Sequence, residues 1–239
     1  MTRPTRPRRR PRTRRIRVSI GNVYAKNRAL RAYRRVLALW FAPLLVFLSE
    51  AQWIGVVPGY TRHAGDGRRK GETAVYWRLG LGRIARAATR RVSKDVTHAA
   101  KYGHARYVTT VTGLLRSVSV AASAVHLNPG RRGAPRRQNI GIINRLARET
   151  QAHLAAGRVV LIGGDWNTGE NATGPDSPRH LAKKIGPGAQ LHMTGIDGLI
   201  VAAPRGVAVH VDTKARRAPG SNHPLLSATV AVTDRGDRR

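Results

Sequence analysis

Arg158-Val159-Val160-Leu161-Ile162-Gly163-Gly164-Asp165-Trp166-Asn167 is the stretch from which the rest of the chain is best read. Val159 to Ile162 is a β-branched apolar run bounded by glycines, the pattern of a strand buried on both faces. Gly163 and Gly164 then allow a sharp turn or a close backbone approach. In an extended chain successive side chains alternate, so Asp165 and Asn167 share a face while Trp166 points away. The result is a two-oxygen fork at the end of a buried strand, suited to a hard cation or a phosphate. The same residue types also suit a turn.

Other apolar runs close on a polar group in the same way. Ile16, Val18 and Ile20 alternate, and the face continues to Asn22. Asn27 caps an expected helix in which Leu30, Tyr33, Leu37 and Trp40 fall at helical spacing, and Pro43 ends it. Leu44 to Leu48 is an apolar run closed by Glu50. Residues 58–72 read as a basic, Gly-rich surface loop holding His63 and Asp66. Thr73 to Arg78 and Arg106 to Val111 read as strands joined by a polar, Lys/Arg-rich connection. Ser117 to Leu127 alternates small and apolar residues and places His126 at its far end. A loop follows at Pro129 to Arg137, then a helix from about Gln138 to Ala156 with Ile142, Ile143, Leu146 and Leu154 inward; Gly157 ends it. After a loop at 168–188, Ile196, Leu199, Ile200 and Val201 form a strand with Asp197 at its start. The last apolar run, Leu225 to Val232, follows Ser221-Asn222-His223-Pro224. No internal repeats are present.

Composition narrows the class of partner. The 239 residues suffice for one core, and the chain divides into a basic arm at 1–15 and a domain at 16–235. Against 12 Asp+Glu stand 44 Lys+Arg, a formal net charge of +32. That excess calls for a polyanion, nucleic acid first and an anionic membrane surface second. Arg8, Arg9, Arg10, Arg14 and Arg15 of the arm and Arg131, Arg132, Arg136 and Arg137 of the Arg/Gly/Pro loop are the candidate phosphate contacts. Like charges at the density of residues 1–15 oppose collapse, so the arm reads as disordered. With no Cys, disulfides, thiolate metal sites and Cys nucleophiles are excluded. The basic stretch through Arg35 followed by Val36 to Leu48 imitates a secretory signal, but Pro43 interrupts its apolar part. No run reaches the roughly 18 apolar residues of a membrane span. The composition suits a monomeric, cytoplasmic protein, bacterial or phage-encoded, with secretion as the alternative.

Taken together, Asn22, Glu50, His126, Asp165, Asn167, Asp197, Asn222 and His223 all fall at strand ends. Three of only 12 carboxylates are among them, in a chain that otherwise accumulates positive charge. Carboxylates so placed suit Mg²⁺ or Mn²⁺, amides suit phosphate oxygens, and histidines can move protons near neutrality.

The order of these motifs resembles the endonuclease/exonuclease/phosphatase superfamily, the deoxyribonuclease-I-like fold. The matching pieces are Ile20-Gly21-Asn22-Val23, Phe47-Leu48-Ser49-Glu50, Val125-His126-Leu127, Gly164-Asp165-Trp166-Asn167, Ile196-Asp197-Gly198 and Ser221-Asn222-His223-Pro224, spanning residues 16–232. The resemblance implies an α/β (α+β) fold, a four-layered α/β/β/α sandwich of two mostly antiparallel sheets flanked by helices. It implies a divalent metal on Glu50, with Asn22, Asp165 and Asn167 around the scissile phosphate. His223 would be the general base, His126 would assist the leaving oxygen or stabilise the phosphorane, and Asp197 would orient one histidine.

The chain departs from the family pattern at Asn222, where Asp is usual before the final His, and at Gly21, where Trp is usual. An amide at 222 can hold the tautomer of His223 but cannot stabilise an imidazolium by charge. Asp212 is close enough in sequence to be considered as a substitute. Two functions follow: a metal-dependent nuclease, with DNA favoured over RNA, or a nucleic-acid-binding protein on the same fold that has lost catalysis.

Overall fold

Alternating apolar residues build two six-stranded sheets, and the inner faces of those sheets bury one another. The computed structural model describes residues 12–23, 43–51, 54–65, 72–93, 106–130, 132–217 and 223–234. Its strands are β1 (Thr13–Asn22), β2 (Leu45–Ser49), β3 (Tyr60–Ala64), β4 (Thr73–Arg78), β5 (Gly82–Arg91), β6 (Tyr107–Leu115), β7 (Val118–His126), β8 (Val159–Asp165), β9 (Gln190–Thr194), β10 (Asp197–Ala202), β11 (Val207–Arg217) and β12 (Pro224–Asp234). The described helices are α1 (Gly133–Ala155) and α2 (Pro178–Ile185). One sheet runs β11-β12-β1-β2-β4-β3, the other β5-β6-β7-β8-β10-β9.

Each sheet is antiparallel except at its centre, where β1 pairs parallel with β2 and β7 parallel with β8. Those two parallel pairs send four strand C-termini to the same end of the sandwich. The core between the sheets is built from every second residue: Ile16, Val18 and Ile20; Leu45 and Phe47; Val120, Ala122 and Ala124; Val159 and Leu161; Leu199 and Val201. At roughly 1.5–3 kcal/mol for each large apolar side chain removed from water, this layer supplies the main drive for the two sheets to stack. Outside the second sheet, Ile142, Ile143, Leu146 and Ala147 of α1 and Leu181 of α2 cover Ala121, Val125, Val160 and Ile162. Outside the first sheet, Ile54 and Val57 lie against Val46, Leu48 and Tyr76. Among the described residues no helix is long and apolar enough to cross a membrane.

The α/β sandwich of two mostly antiparallel sheets agrees with the expectation, and several local readings are corrected. β5 occupies the supposed polar connection and β3 the supposed loop at 58–72. Both are edge strands, where half the backbone and much of the side-chain surface faces water, so apolar alternation is weak. α1 starts at Gly133, within the expected loop; Pro135 falls in its first turn, where a missing N–H costs nothing. α2 lies in the expected loop 168–188, and its signals were present in Ser177 as N-cap and Pro178 in the first turn. Thr13, Arg14 and Arg15, assigned by composition to the arm, pair with Thr233, Val232 and Ala231. The remainder of the arm, the helix expected after Asn27 and the secretory-signal stretch through residue 42 lie outside the described residues.

Candidate functional site

The site is the polar end of the inter-sheet core. On β1, β2, β7 and β8 the inner-facing series runs with a period of two into Asn22, Ser49, His126 and Asp165, and on β10 Asp197 precedes Leu199 and Val201 with the same period. All five are buried, between 0% and 6% exposed. Antiparallel pairing of β10 with β8 sets Asp197 opposite Asp165, and parallel pairing of β7 with β8 sets His126 beside it. Ser49 stitches the sheets together at this end, donating from Oγ to Val125 O at 3.0 Å and accepting from the Asp165 N–H at 3.1 Å.

Asp165 is the hub. Its Oδ2 accepts from Asn22 Nδ2 at 2.8 Å and its Oδ1 from the Asn167 N–H at 2.8 Å. The same Oδ2 lies 3.7 Å from His126 Nε2 and 4.0 Å from His223 Nδ1, so the carboxylate sits between the two imidazoles. His223 Nδ1 bonds Asp197 Oδ2 at 2.8 Å. That hydrogen bond is the main cause of a His223 pKa raised above the ordinary 6.5, with the charges of Asp197, Asp165 and Glu50 acting in the same sense against burial. Burial raises the Asp197 carboxyl despite the bond to His223, and the charge of Asp165 raises it further.

Close backbone approach, not a turn at the glycines, is what makes this geometry possible. A Cβ on Gly163 would lie 2.8 Å from Phe47 Cγ, and one on Gly164 only 1.9 Å from Val125 O. The expected fork of Asp165 and Asn167 forms differently from the reading of an extended chain. β8 ends at Asp165, Asn167 takes a left-handed φ of 49°, and its Nδ2 donates to Leu127 O at 2.7 Å. Asn and Asp tolerate that conformation through such local bonds, so the turn and the fork are one structure. Trp166 does point away, fully buried, with Nε1 donating to Gly198 O at 3.3 Å.

Sequence reading missed the side chains that hold His126 from behind. Its Nδ1 is 2.8 Å from Glu72 Oε1 and 3.2 Å from Arg106 Nη1. The shorter contact places the proton on Nδ1 facing the carboxylate, leaving Nε2 toward Asp165 as the acceptor in the neutral ring. Arg106, only 5% exposed, pairs with Glu72 and donates from Nε to Asn128 Oδ1 at 2.9 Å. A Glu at the head of a strand and an Arg at the head of another were the available signals, and in a chain with this many arginines neither stands out.

Of the expected residues, Asn22, His126, Asp165, Asn167, Asp197 and His223 are brought together. Glu50, at the end of β2 with a left-handed φ of 54°, is near enough for its charge to act on His223. Asn222 lies outside the described residues. Asp212 is not a substitute partner: it is exposed on β11 opposite Thr229, five positions along β12 from Pro224, roughly 16 Å at the rise of a strand. Arg14 and Arg15 sit at the opposite end of β1 from Asn22, roughly 23 Å or more away, and so do not border the site. Arg132, Arg136 and Arg137 lie at the start of α1, which Asn128 ties to the site end through Asn139 Oδ1 and Gln138 Oε1; Arg136 also pairs with Asp176 at 3.5 Å. Arg8, Arg9, Arg10 and Arg131 are outside the described residues.

The donor set suits a divalent cation. One ligand atom each from Asp165, Asp197 and His223 lies within 4.8 Å of the others, and Asp197 Oδ1 is buried with no hydrogen-bond partner among the described residues. Two carboxylates and one imidazole are a donor set that a divalent metal can use.

In sequence, the chain matches no protein-family profile and no curated protein. In structure it is similar to TDP2, both from Caenorhabditis elegans (15% identity, TM-score 0.68, 90% of this chain and 75% of that one) and from D. rerio complexed with single strand DNA product (13%, 0.62, 90% and 98%). It is also similar to an endonuclease/exonuclease/phosphatase from Bacteroides vulgatus (13%, 0.66, 91% and 98%) and to a mannosyl-6-phosphatase from Bacteroides thetaiotaomicron (12%, 0.64, 91% and 99%). The chain therefore has the endonuclease/exonuclease/phosphatase fold.

Proposed function

We propose that this protein is a divalent-metal-dependent phosphodiesterase acting on nucleic acid, DNA in preference to RNA. The observation that carries the reading is the hydrogen-bonded His223–Asp197 pair set beside Asp165 at the mouth of this fold. His223, held through Nδ1 by Asp197, presents Nε2 to a water aimed in line at phosphorus and takes its proton. Asn22, Asp165 and Asn167 position the scissile phosphate, and His126, in its doubly protonated form with Nδ1–H held by Glu72, gives the Nε2 proton to the leaving oxygen. Asp197 and His223 are committed to each other, so in this reading they do not hold the metal, and it is placed on Glu50 with the Asn22 side-chain oxygen, as the resemblance implies. A cation there would neutralise charge developing on the phosphate oxygens.

A polymer substrate fits a net charge of +32 better than a sugar phosphate does, and the D. rerio TDP2 complex with single strand DNA supports the same choice. The binding-only reading rested on Asn222. It is weakened because the carboxylate on His223 comes from β10, not from residue 222.

The test is nicking of supercoiled plasmid with Mg²⁺ or Mn²⁺ across pH 6–9, beside EDTA, Asp165→Ala and His223→Ala. Nicking abolished by all three supports the nuclease. Retardation of plasmid without cutting, with RNA and small phosphoesters also intact, would replace it with the binding-only reading.

A further inference from the structure

The outer face of the second sheet changes character across its width. Under α1, β7 and β8 present apolar residues to Ile142, Ile143 and Leu146. Farther out, β6 presents Thr110 and Thr112, and their partners across the pair on β5 are Ala88 and Arg86. The last turns of α1, with Glu149, Ala152 and His153, form a facing wall, and Arg158 at the entry to β8 closes one end. Because Ala88 and Ala152 are short, a cavity of about 260 Å³ remains, with Arg90 on its remaining side.

Charge in this cavity is unbalanced. Arg86, Arg90 and Arg158 face a single carboxylate, Glu149, which is already shared between Arg90 Nη1 at 3.4 Å and Arg145 Nε at 3.0 Å. Among the described residues no carboxylate pairs with Arg86 or Arg158. Arg158 Nη1 lies 3.3 Å from His153 Nδ1, and burial together with Arg158 holds that imidazole below its ordinary pKa, so it offers a neutral acceptor rather than a counter-charge. Forked guanidiniums beside threonine hydroxyls match the oxygens of a phosphate. The volume is below the roughly 300 Å³ at which pockets for larger organic ligands begin, enough for a phosphate with its attached sugar. Arg158 and Asp165 bracket β8, so the catalytic end is roughly 23 Å away.

We propose that this cavity is a second phosphate-binding site, in which Arg86 and Arg158 hold a phosphate group over Thr110 and Thr112. The phosphate could be carried by a nucleic-acid strand or arrive as a free mononucleotide; the chemistry recognised is the same.

Inorganic phosphate titrated into the full chain in EDTA tests it, with the His153 imidazole proton resonance as local reporter, because the many other arginines bind phosphate diffusely. We expect the His153 signal to move to saturation in the unsubstituted protein and equally in Asp165→Ala. Arg86→Ala/Arg158→Ala should weaken that response about tenfold or more, and Arg86→Lys/Arg158→Lys should recover part of it. An unmoved His153 signal at saturating phosphate, or an undiminished response in the doubly substituted alanine variant with an unchanged melting temperature, overturns the proposal. Displacement of phosphate by a short oligonucleotide assigns the site to a strand, and displacement by a mononucleotide alone assigns it to a free nucleotide; either upholds the site. Plasmid nicking reads the catalytic centre separately, so failure there leaves this site standing.

Discussion

His223 Nδ1 lies 2.8 Å from Asp197 Oδ2, although the two residues are 26 positions apart, Asp197 opening β10 of one sheet and His223 immediately preceding β12 of the other. The bond gives His223 a carboxylate partner and makes the histidine more basic. Asp197→Asn should therefore keep the fold and lose the chemistry. We expect nicking to fall by roughly 10³–10⁴, on the scale of the serine-protease carboxylate beside its histidine. The melting temperature at neutral pH should hold or rise, because a carboxyl whose pKa is raised by burial costs stability once ionised. Parallel loss of activity and stability would count against this assignment.

The direction of the His223 shift fixes a pH dependence. A general base must be neutral, so the rising limb of nicking against pH should fall above the ordinary 6.5, and Asp197→Asn should move it lower. The stability window has the opposite sense. A histidine with a raised folded pKa lends stability that is complete below about 6.5 and lost as pH rises through the folded value. Thermal melts of the protein and of His223→Gln from pH 5 to 9 should differ most at the acid end; a difference that grows with pH would contradict the shift.

Arg106 holds the opposite histidine indirectly. Removing a buried guanidinium leaves the Glu72 charge beside His126 without its partner, so Arg106→Ala should cost about 3 kcal/mol in urea denaturation. Arg106→Met combined with Glu72→Gln should recover part of that loss because no unpaired charge remains. Equal destabilisation by the single and double substitutions would show that packing, rather than charge, is what Arg106 contributes.

Gly164 is the tightest point of the sandwich end. Its φ is 152°, and an added Cβ would lie 1.9 Å from Val125 O in the neighbouring strand. Backbone strain of about 1–3 kcal/mol and a collision of similar size should add, so Gly164→Ala loses about 4 kcal/mol. Gly169, with nothing within 4 Å of an added Cβ, is the control: Gly169→Ala should melt like the unsubstituted protein.

The strands that were legible from sequence are the ones buried on the inner face: β1, β2, β4, β6, β7, β8, β10 and β12 each carry apolar residues dense or regular enough to read. β3, β5, β9 and β11 were not, because all four are sheet edges, and an edge tolerates Arg, Thr and Gly without disturbing a core. α2 was marked only by Ser177 and Pro178, a signal too short to outweigh the glycines around it.

The sequence sets which side chains close each apolar face: by a period of two, Asn22, His126 and Asp165 follow the core residues of their strands and Asp197 precedes those of its own. It also determined the excess of positive charge. Only the tertiary structure decided that these ends meet, through the two parallel pairs β1–β2 and β7–β8 stacked face to face. It decided which histidine each carboxylate serves, giving Asp197 to His223 and Glu72 to His126, and it removed Asp212 from consideration. Periodicity reports the face of a strand, whereas partnership depends on strand order and direction, which non-local pairing sets and no local pattern of residues encodes.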